Sequence, residues 1–351
     1  MGTVGDETAR VDPFAERMQD REPFSARKLG QQLRVSNRAL LREDDEAIGT
    51  IGREGREGAL DVFGRAELNG FGVETQRLER KNSGRTLMRK MMMAALCASA
   101  MAASAHATVR EEPITYQDGE TTMKGFVVFD EAIQGKRPGI IMVHEWWGIT
   151  KHVHNEAQKF AEQGYTAFIA DMYGDAKTAD NPKDAGALSS SVMKDSKVMQ
   201  ARFNAARTQL AKHSSVDPTR IGAVGYCFGG AVVLNMARSG ADLAAVAGFH
   251  ASLGLNTQAP APGTVKAKIL VLNGADDTFV KREQYEAFKK DLDTAKADYR
   301  IIEYPGAVHA FTNPEATELG EKFNLPLRYD AQVDREAKAE ALTFFAANLG
   351  K

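Results

Sequence analysis

The chain has 351 residues, 45 Lys and Arg against 47 Asp and Glu, and a formal net charge of −2. So even a balance gives no electrostatic reason to expect a nucleic acid or an anionic membrane surface as partner. The length allows one large domain with a sizeable core, after allowance for what precedes it.

Residues 1–87 are dense in charge of both signs, broken by glycine as in Arg53-Glu54-Gly55-Arg56-Glu57-Gly58, and carry no sustained apolar period. Such composition predicts disorder, or a stretch upstream of a true start at Met88. Met88 opens a second pattern over residues 88–107. Arg89 and Lys90 form a basic start, 91–103 an apolar run too short to span a bilayer, and Ser104-Ala105-His106-Ala107 a small-residue cleavage site. That is the layout of a secretory signal peptide, and it predicts a periplasmic or secreted protein. If Met1 is the true start, the hydrophilic leader predicts failed export and a cytoplasmic location. Cleavage removes Cys97 and leaves Cys227 without an intrachain partner, so Cys227 is not expected to be a structural disulfide cysteine.

Over 108–351 the predicted elements alternate. Strands are expected over 115–117 and 121–129, joined by a turn at Asp118-Gly119. A continuous apolar strand follows over 139–144, then a helix over 155–163 stopped by Gly164, and a buried strand over 165–170. A helix over 196–212 precedes a strand ending at 224 and a helix from 230 to 238. Further strands are expected over 243–249, 268–273 and 299–304, with helices over 282–296 and 335–349. Alternating strands and helices imply an α/β fold whose central sheet is mostly parallel, with helices on both faces.

In such sheets functional groups collect at the carboxyl ends of strands. The sharpest of these ends is Gly225-Tyr226-Cys227-Phe228-Gly229, a strand–turn–helix in which the flanking glycines permit a tight reversal around a nucleophile-type residue. A sulfur at a helix N-terminus meets free N–H groups and the positive end of the helix dipole, which favour a thiolate. The strand over 268–273 runs into Gly274-Ala275-Asp276-Asp277-Thr278-Phe279-Val280, and the last strand into Pro305-Gly306-Ala307-Val308-His309. A thiol needs a base, which His309 supplies. An imidazole needs its other nitrogen held, for which Asp277 is preferred and Asp276 is the rival. A fourth strand end, His144-Glu145-Trp146-Trp147-Gly148, offers the backbone N–H of Trp146 as an oxyanion donor alongside that of Phe228. Glu145 beside the sulfur would hydrogen-bond the neutral S–H. Trp146, Trp147, Tyr173 and Phe249 are expected around an apolar or aromatic acyl pocket. His152 and His154, near His144 and Glu145, are candidate metal ligands by type, but a spacing of two does not place both on one face of a helix, and no metal is expected.

Gly225-Tyr226-Cys227-Phe228-Gly229-Gly230, His144-Glu145-Trp146-Trp147-Gly148, Asp171-Met172-Tyr173, Asp277-Thr278-Phe279-Val280 and His309-Ala310-Phe311 together resemble the dienelactone hydrolase (carboxymethylenebutenolidase) family, within the α/β-hydrolase fold. The resemblance covers 108–351. It implies a Cys227–His309–Asp277 triad acting on a small ester or lactone through a thioester, with neither cofactor nor metal. It also implies that Glu145 holds the resting thiol neutral and swings away when substrate binds. The family's lactone hydrolases carry arginines for the substrate carboxylate where this chain has Asp175 and Asn313, so dienelactone itself is not the expected substrate. A monomer is expected. The rival expectations are a non-catalytic binding module on the same fold and a redox-active thiol protein. The second is weakened by the lack of a resolving cysteine.

Overall fold

The computed structural model describes residues 108–254 and 258–350. The expectations for 1–87 and for the signal peptide at 88–107 lie outside the described residues. Strands β1 (Val109–Asp118) and β2 (Thr121–Asp130) form an antiparallel pair that turns at Gly119. Next come β3 (Arg137–Val143), helix α1 (Lys151–Glu162), β4 (Thr166–Ala170), α2 (Pro182–Met193) and α3 (Ser196–Lys212). Then follow β5 (Val216–Tyr226), α4 (Phe228–Arg238), β6 (Ala245–Phe249), β7 (Lys268–Gly274) and α5 (Arg282–Ala295). The chain closes with β8 (Tyr299–Tyr304), α6 (Ala316–Phe323) and α7 (Ala331–Leu349).

Among the described residues, eight strands make one sheet, in the order β1-β2-β4-β3-β5-β6-β7-β8. The β1–β2 and β2–β4 pairs are antiparallel, and every pair from β4 to β8 is parallel. The reversals at β2–β4 and at β3–β5 reflect connections that cross the sheet, so the carboxyl ends of β3, β5, β6, β7 and β8 open on one edge.

Each face of the sheet carries its own apolar cluster, because successive side chains of a strand point to opposite faces. Ile141, Val143, Ala223, Val246 and Val271 pack on one face with α3 and α4 residues Phe203, Leu210, Val232 and Met236. Ile140, Met142, Val224, Ala247, Leu270 and Leu272 pack on the other with Phe160 of α1 and Phe345 of α7. Full burial of a side chain of this size contributes about 1.5–3 kcal/mol, and these positions are essentially inaccessible to water.

Two helices were not predicted. The α2 segment contains Gly186 and three consecutive serines, which blur any apolar stripe, and it starts on local chemistry instead. Asn181 accepts from the Asp184 N–H at 3.0 Å, and Pro182 follows at the first helical position. The α6 helix has 8 residues, too few for a period to register. Helices α1 and α7 each begin four residues before their predicted starts. For α7 the cause is Asp330, whose Oδ1 accepts from the N–H groups of Gln332 and Val333.

Candidate active site

The reversal between β5 and α4 is held in a conformation that the two glycines make possible. Cys227 sits at φ 55° and ψ −114°, a positive φ that non-glycine residues adopt only under constraint. A Cβ on Gly225 would collide with the Gly229 backbone, and one on Gly229 would collide with the Val143 carbonyl. The Cys227 N–H donates to the Phe249 carbonyl at 3.0 Å, which ties the turn to β6, and the Cys227 carbonyl accepts from the Ala231 N–H at 3.2 Å as α4 begins. The sulfur therefore stands at the first turn of α4, on the edge where the parallel strands end.

His309 and Asp277 arrive there from β8 and β7. The His309 Nδ1–H donates to Asp277 Oδ2 at 2.7 Å, with both side chains buried. The other Asp277 oxygen accepts from the Phe279 N–H at 2.8 Å, so the carboxylate cannot rotate freely. Asp276 is exposed, and of the two rival aspartates it is Asp277 that holds the imidazole. With Nδ1 engaged, Nε2 is the nitrogen left for the sulfur. Burial pushes the His309 imidazole down. The charges of Asp277 and then Cys227, with hydrogen bonds to both, outweigh it and raise the imidazole well above its usual range. Phe279 and His250 flank the ring edge-on, with centroids at 4.8 and 5.2 Å.

The loop after β3 is a tight turn. The Glu145 carbonyl accepts from the His144 Nδ1–H at 2.6 Å and from the Gly148 N–H at 3.1 Å. His144 Nε2 accepts from the Met172 N–H at 3.4 Å, so this histidine is a neutral Nδ1–H tautomer, and burial lowers its pKa. Tyr173 donates through its hydroxyl to the Trp146 carbonyl at 2.9 Å. Tyr173 is itself placed by Asp171, whose carboxylate accepts from the backbone N–H groups of Lys124, Tyr173, Gly174 and Ala176. Trp146, Trp147, Tyr173 and Phe228 share one buried cluster with Cys227.

Phe249 does not join them. It lies in the cluster on the opposite face of the sheet, stacked on Tyr226 at 5.1 Å, and its contribution to the site is its carbonyl. The sequence Ala245-Val246-Ala247-Gly248-Phe249 is apolar throughout, so nothing in it reveals which alternate positions face which side.

The Glu145 carboxylate is found on two other partners. Its Oε2 accepts from Asn313 Nδ2 at 2.7 Å and lies 3.3 Å from His152 Nδ1. Asn313 thus binds an acid of this chain, and Asp175 is paired with exposed Lys124 at 3.2 Å. His154 turns away from His152 to Glu111, at 3.0 Å. Among the described residues, no group of three or more His, Cys, Asp or Glu could hold a metal ion, and no helix is long and apolar enough to cross a membrane. His152, Thr312 and His250 were not predicted as parts of the site. Thr312 Oγ1 is 2.8 Å from His250 Nε2 and 3.3 Å from His152 Nε2.

Known proteins share this architecture. The model of the dienelactone hydrolase family matches residues 123–349. A dienelactone hydrolase-like promiscuous phosphotriesterase from metagenomic libraries is 31% identical, with a TM-score of 0.62, over 69% of this chain and 100% of that one. A protein of Aquifex aeolicus that carries the provisional name carboxymethylenebutenolidase is 26% identical over 216 residues, 60% of this chain and 89% of its own. Protein usf of Aquifex pyrophilus is 29% identical over 186 residues, 52% of this chain and 80% of its own.

Proposed function

The chain belongs to the dienelactone hydrolase family and is an ester or lactone hydrolase; on that premise we propose that Cys227 is its nucleophile, His309 its base and Asp277 the group that orients the base. The observation that carries this reading is the buried Asp277–His309 hydrogen bond at 2.7 Å, on the same sheet edge as the strained Cys227 turn that opens α4. His309 takes the thiol proton. The thiolate attacks the carbonyl carbon, a C–S bond forms, and the carbonyl electron pair moves to oxygen. The N–H groups of Phe228 and Trp146 receive that oxyanion. Collapse breaks the C–O bond, and the imidazolium gives its proton to the leaving alkoxide. A water, deprotonated by His309, then cleaves the thioester and returns the sulfur.

The acyl group is expected to lie against Trp146, Trp147, Tyr173 and Phe228. Nothing among Asp175, Lys124 and Asn313 offers the bidentate guanidinium that would select a carboxylate, so a neutral ester or lactone is the expected substrate. Residues 88–107 are proposed to export the protein.

The test is turnover of an activated aryl ester, a neutral lactone and an aryl phosphotriester by the wild type and by Cys227→Ala. The phosphotriester is included because the relative from metagenomic libraries is described as acting on that class. Hydrolysis of the ester or lactone by the wild type, lost in a folded Cys227→Ala, is the expected result. Undiminished hydrolysis in that variant contradicts the assignment.

A further inference from the structure

The hydrolytic steps above do not use a buried polar chain that starts at Glu145, the residue after His144, whose carbonyl lies against Gly229 in the first turn of α4. Glu145, at the carboxyl end of β3, meets Asn313 at 2.7 Å and His152, in the first turn of α1, at 3.3 Å. The His152 contact is one of charge rather than an aligned hydrogen bond, since its Nδ1 has no hydrogen-bond partner. The other nitrogen of His152 faces the Thr312 hydroxyl at 3.3 Å and Glu156, one turn further along α1, at 4.0 Å. All three ionisable side chains, Glu145, His152 and Glu156, are at most 3% exposed.

A buried carboxylate with one amide partner is poorly compensated, and a cation beside it offsets the cost of its desolvation. His152 is placed to be that cation. The Thr312 hydroxyl can accept the His152 Nε2–H and pass its own proton toward His250 Nε2, at 2.8 Å. This directs the Nε2 proton of His152 to Thr312 and leaves His250 neutral, so that a second proton on His152 Nδ1 would face Glu145. The charges facing His152 agree. Glu145 comes from the β3 loop and Glu156 from α1 itself. Lys338 of α7 is bound to Glu156 at 2.8 Å and opposes them, as does Lys159, bound to the same oxygen at 2.9 Å. Asp334 of α7 pairs with Lys338 at 2.6 Å. Tyr226 of β5 packs edge-on against the His152 ring and faces Glu156 with its hydroxyl at 3.4 Å. Burial pushes His152 down, but Glu145, followed by Glu156, outweighs it and raises the imidazole above its ordinary value.

We propose that His152 is a positioning residue, which with Asn313 holds the Glu145 carboxylate away from the Cys227 sulfur and so governs how readily that sulfur reacts. A carboxylate next to a thiol stabilises the protonated form by accepting its S–H. Held on Asn313 and His152, the same carboxylate leaves the thiol proton to His309. Neutralising His152 removes the charge that keeps it there. The idea rests on Cys227 being the nucleophile, but its test does not depend on ester turnover.

The experiment follows alkylation of Cys227 by iodoacetamide against pH, in the wild type, His152→Gln, Glu145→Gln and the double variant. Loss of the cation is expected to move the rise of the rate upward by about one pH unit in His152→Gln, which is about tenfold slower alkylation on its acid side. The double variant is expected to alkylate as Glu145→Gln does, because the carboxylate through which His152 acts is gone. Two results overturn the proposal: a His152→Gln profile that coincides with the wild type, or a shift of equal size with and without the Glu145 carboxylate. If His152→Gln does not fold, nitrogen NMR of the wild-type histidines decides instead, since a neutral His152 imidazole at neutral pH equally overturns it. A wild type that alkylates as expected yet hydrolyses no ester or lactone would contradict the hydrolytic assignment and leave this one standing.

Discussion

Replacing Asp277 by Asn tests the triad with almost no change of shape. One Asp277 oxygen must accept from the Phe279 N–H at 2.8 Å, and the other accepts from His309 Nδ1 at 2.7 Å. An asparagine can satisfy Phe279 only with its carbonyl oxygen, which turns its NH2 toward His309 Nδ1. That nitrogen must then be an acceptor, so the ring proton moves to Nε2 and faces the sulfur. A base carrying its proton on the side of the nucleophile cannot take another. The imidazolium formed in acylation also loses its counter-charge. In the Ser-His-Asp enzymes the equivalent change costs about 10⁴-fold in kcat, and a loss of about 10³- to 10⁴-fold is expected here, or about 4–5 kcal/mol of barrier. Single-turnover acylation by an activated aryl ester measures it, with thermal unfolding as the control for folding. A folded Asp277→Asn within tenfold of the wild type refutes the role given to this carboxylate.

Two further outcomes concern the frame of the site. Gly225→Ala puts a Cβ onto the Gly229 backbone, where nothing flexible can yield. A loss on the order of 3 kcal/mol is expected, read from the midpoint of urea unfolding, and an unchanged midpoint contradicts it. His250 is buried and held well below its ordinary value of 6.5, first by burial and then by the charge of His309. Its unfolded form therefore takes up a proton that the folded form refuses, and stability should fall as pH drops below 6.5. In His250→Asn, which tolerates the positive φ at this position, the acid slope of the melting temperature should flatten. An unaltered slope would show that other groups cause it.

The parts of the site that were legible in the sequence are those fixed by short-range chemistry. Cys227 announces itself through glycines two residues away on either side, and their reason is that a Cβ at either position would collide with neighbouring backbone. Asp277 and His309 stand at the ends of apolar strands, where the parallel topology gathers them. What stayed hidden depends on long-range contact or on the phase of a strand. Asn313 and Glu145 are 168 residues apart, and Thr312 and His152 are 160 apart, so no spacing rule joins them. His152 stood out in the sequence only as a metal candidate, whereas in the structure its neighbours are two carboxylates and a hydroxyl. Phe249 was misplaced because β6 is apolar on both faces. Helix α2 was missed because its start is written in a cap and a proline and not in a stripe.

The intact mass of the protein, quenched during turnover of an activated aryl ester, tests the central assignment most directly. An acyl adduct located on Cys227, discharged by hydroxylamine and absent from Cys227→Ala, is the expected result. Turnover with no acyl group on Cys227 at any time, or with the acyl group on another side chain, would contradict it.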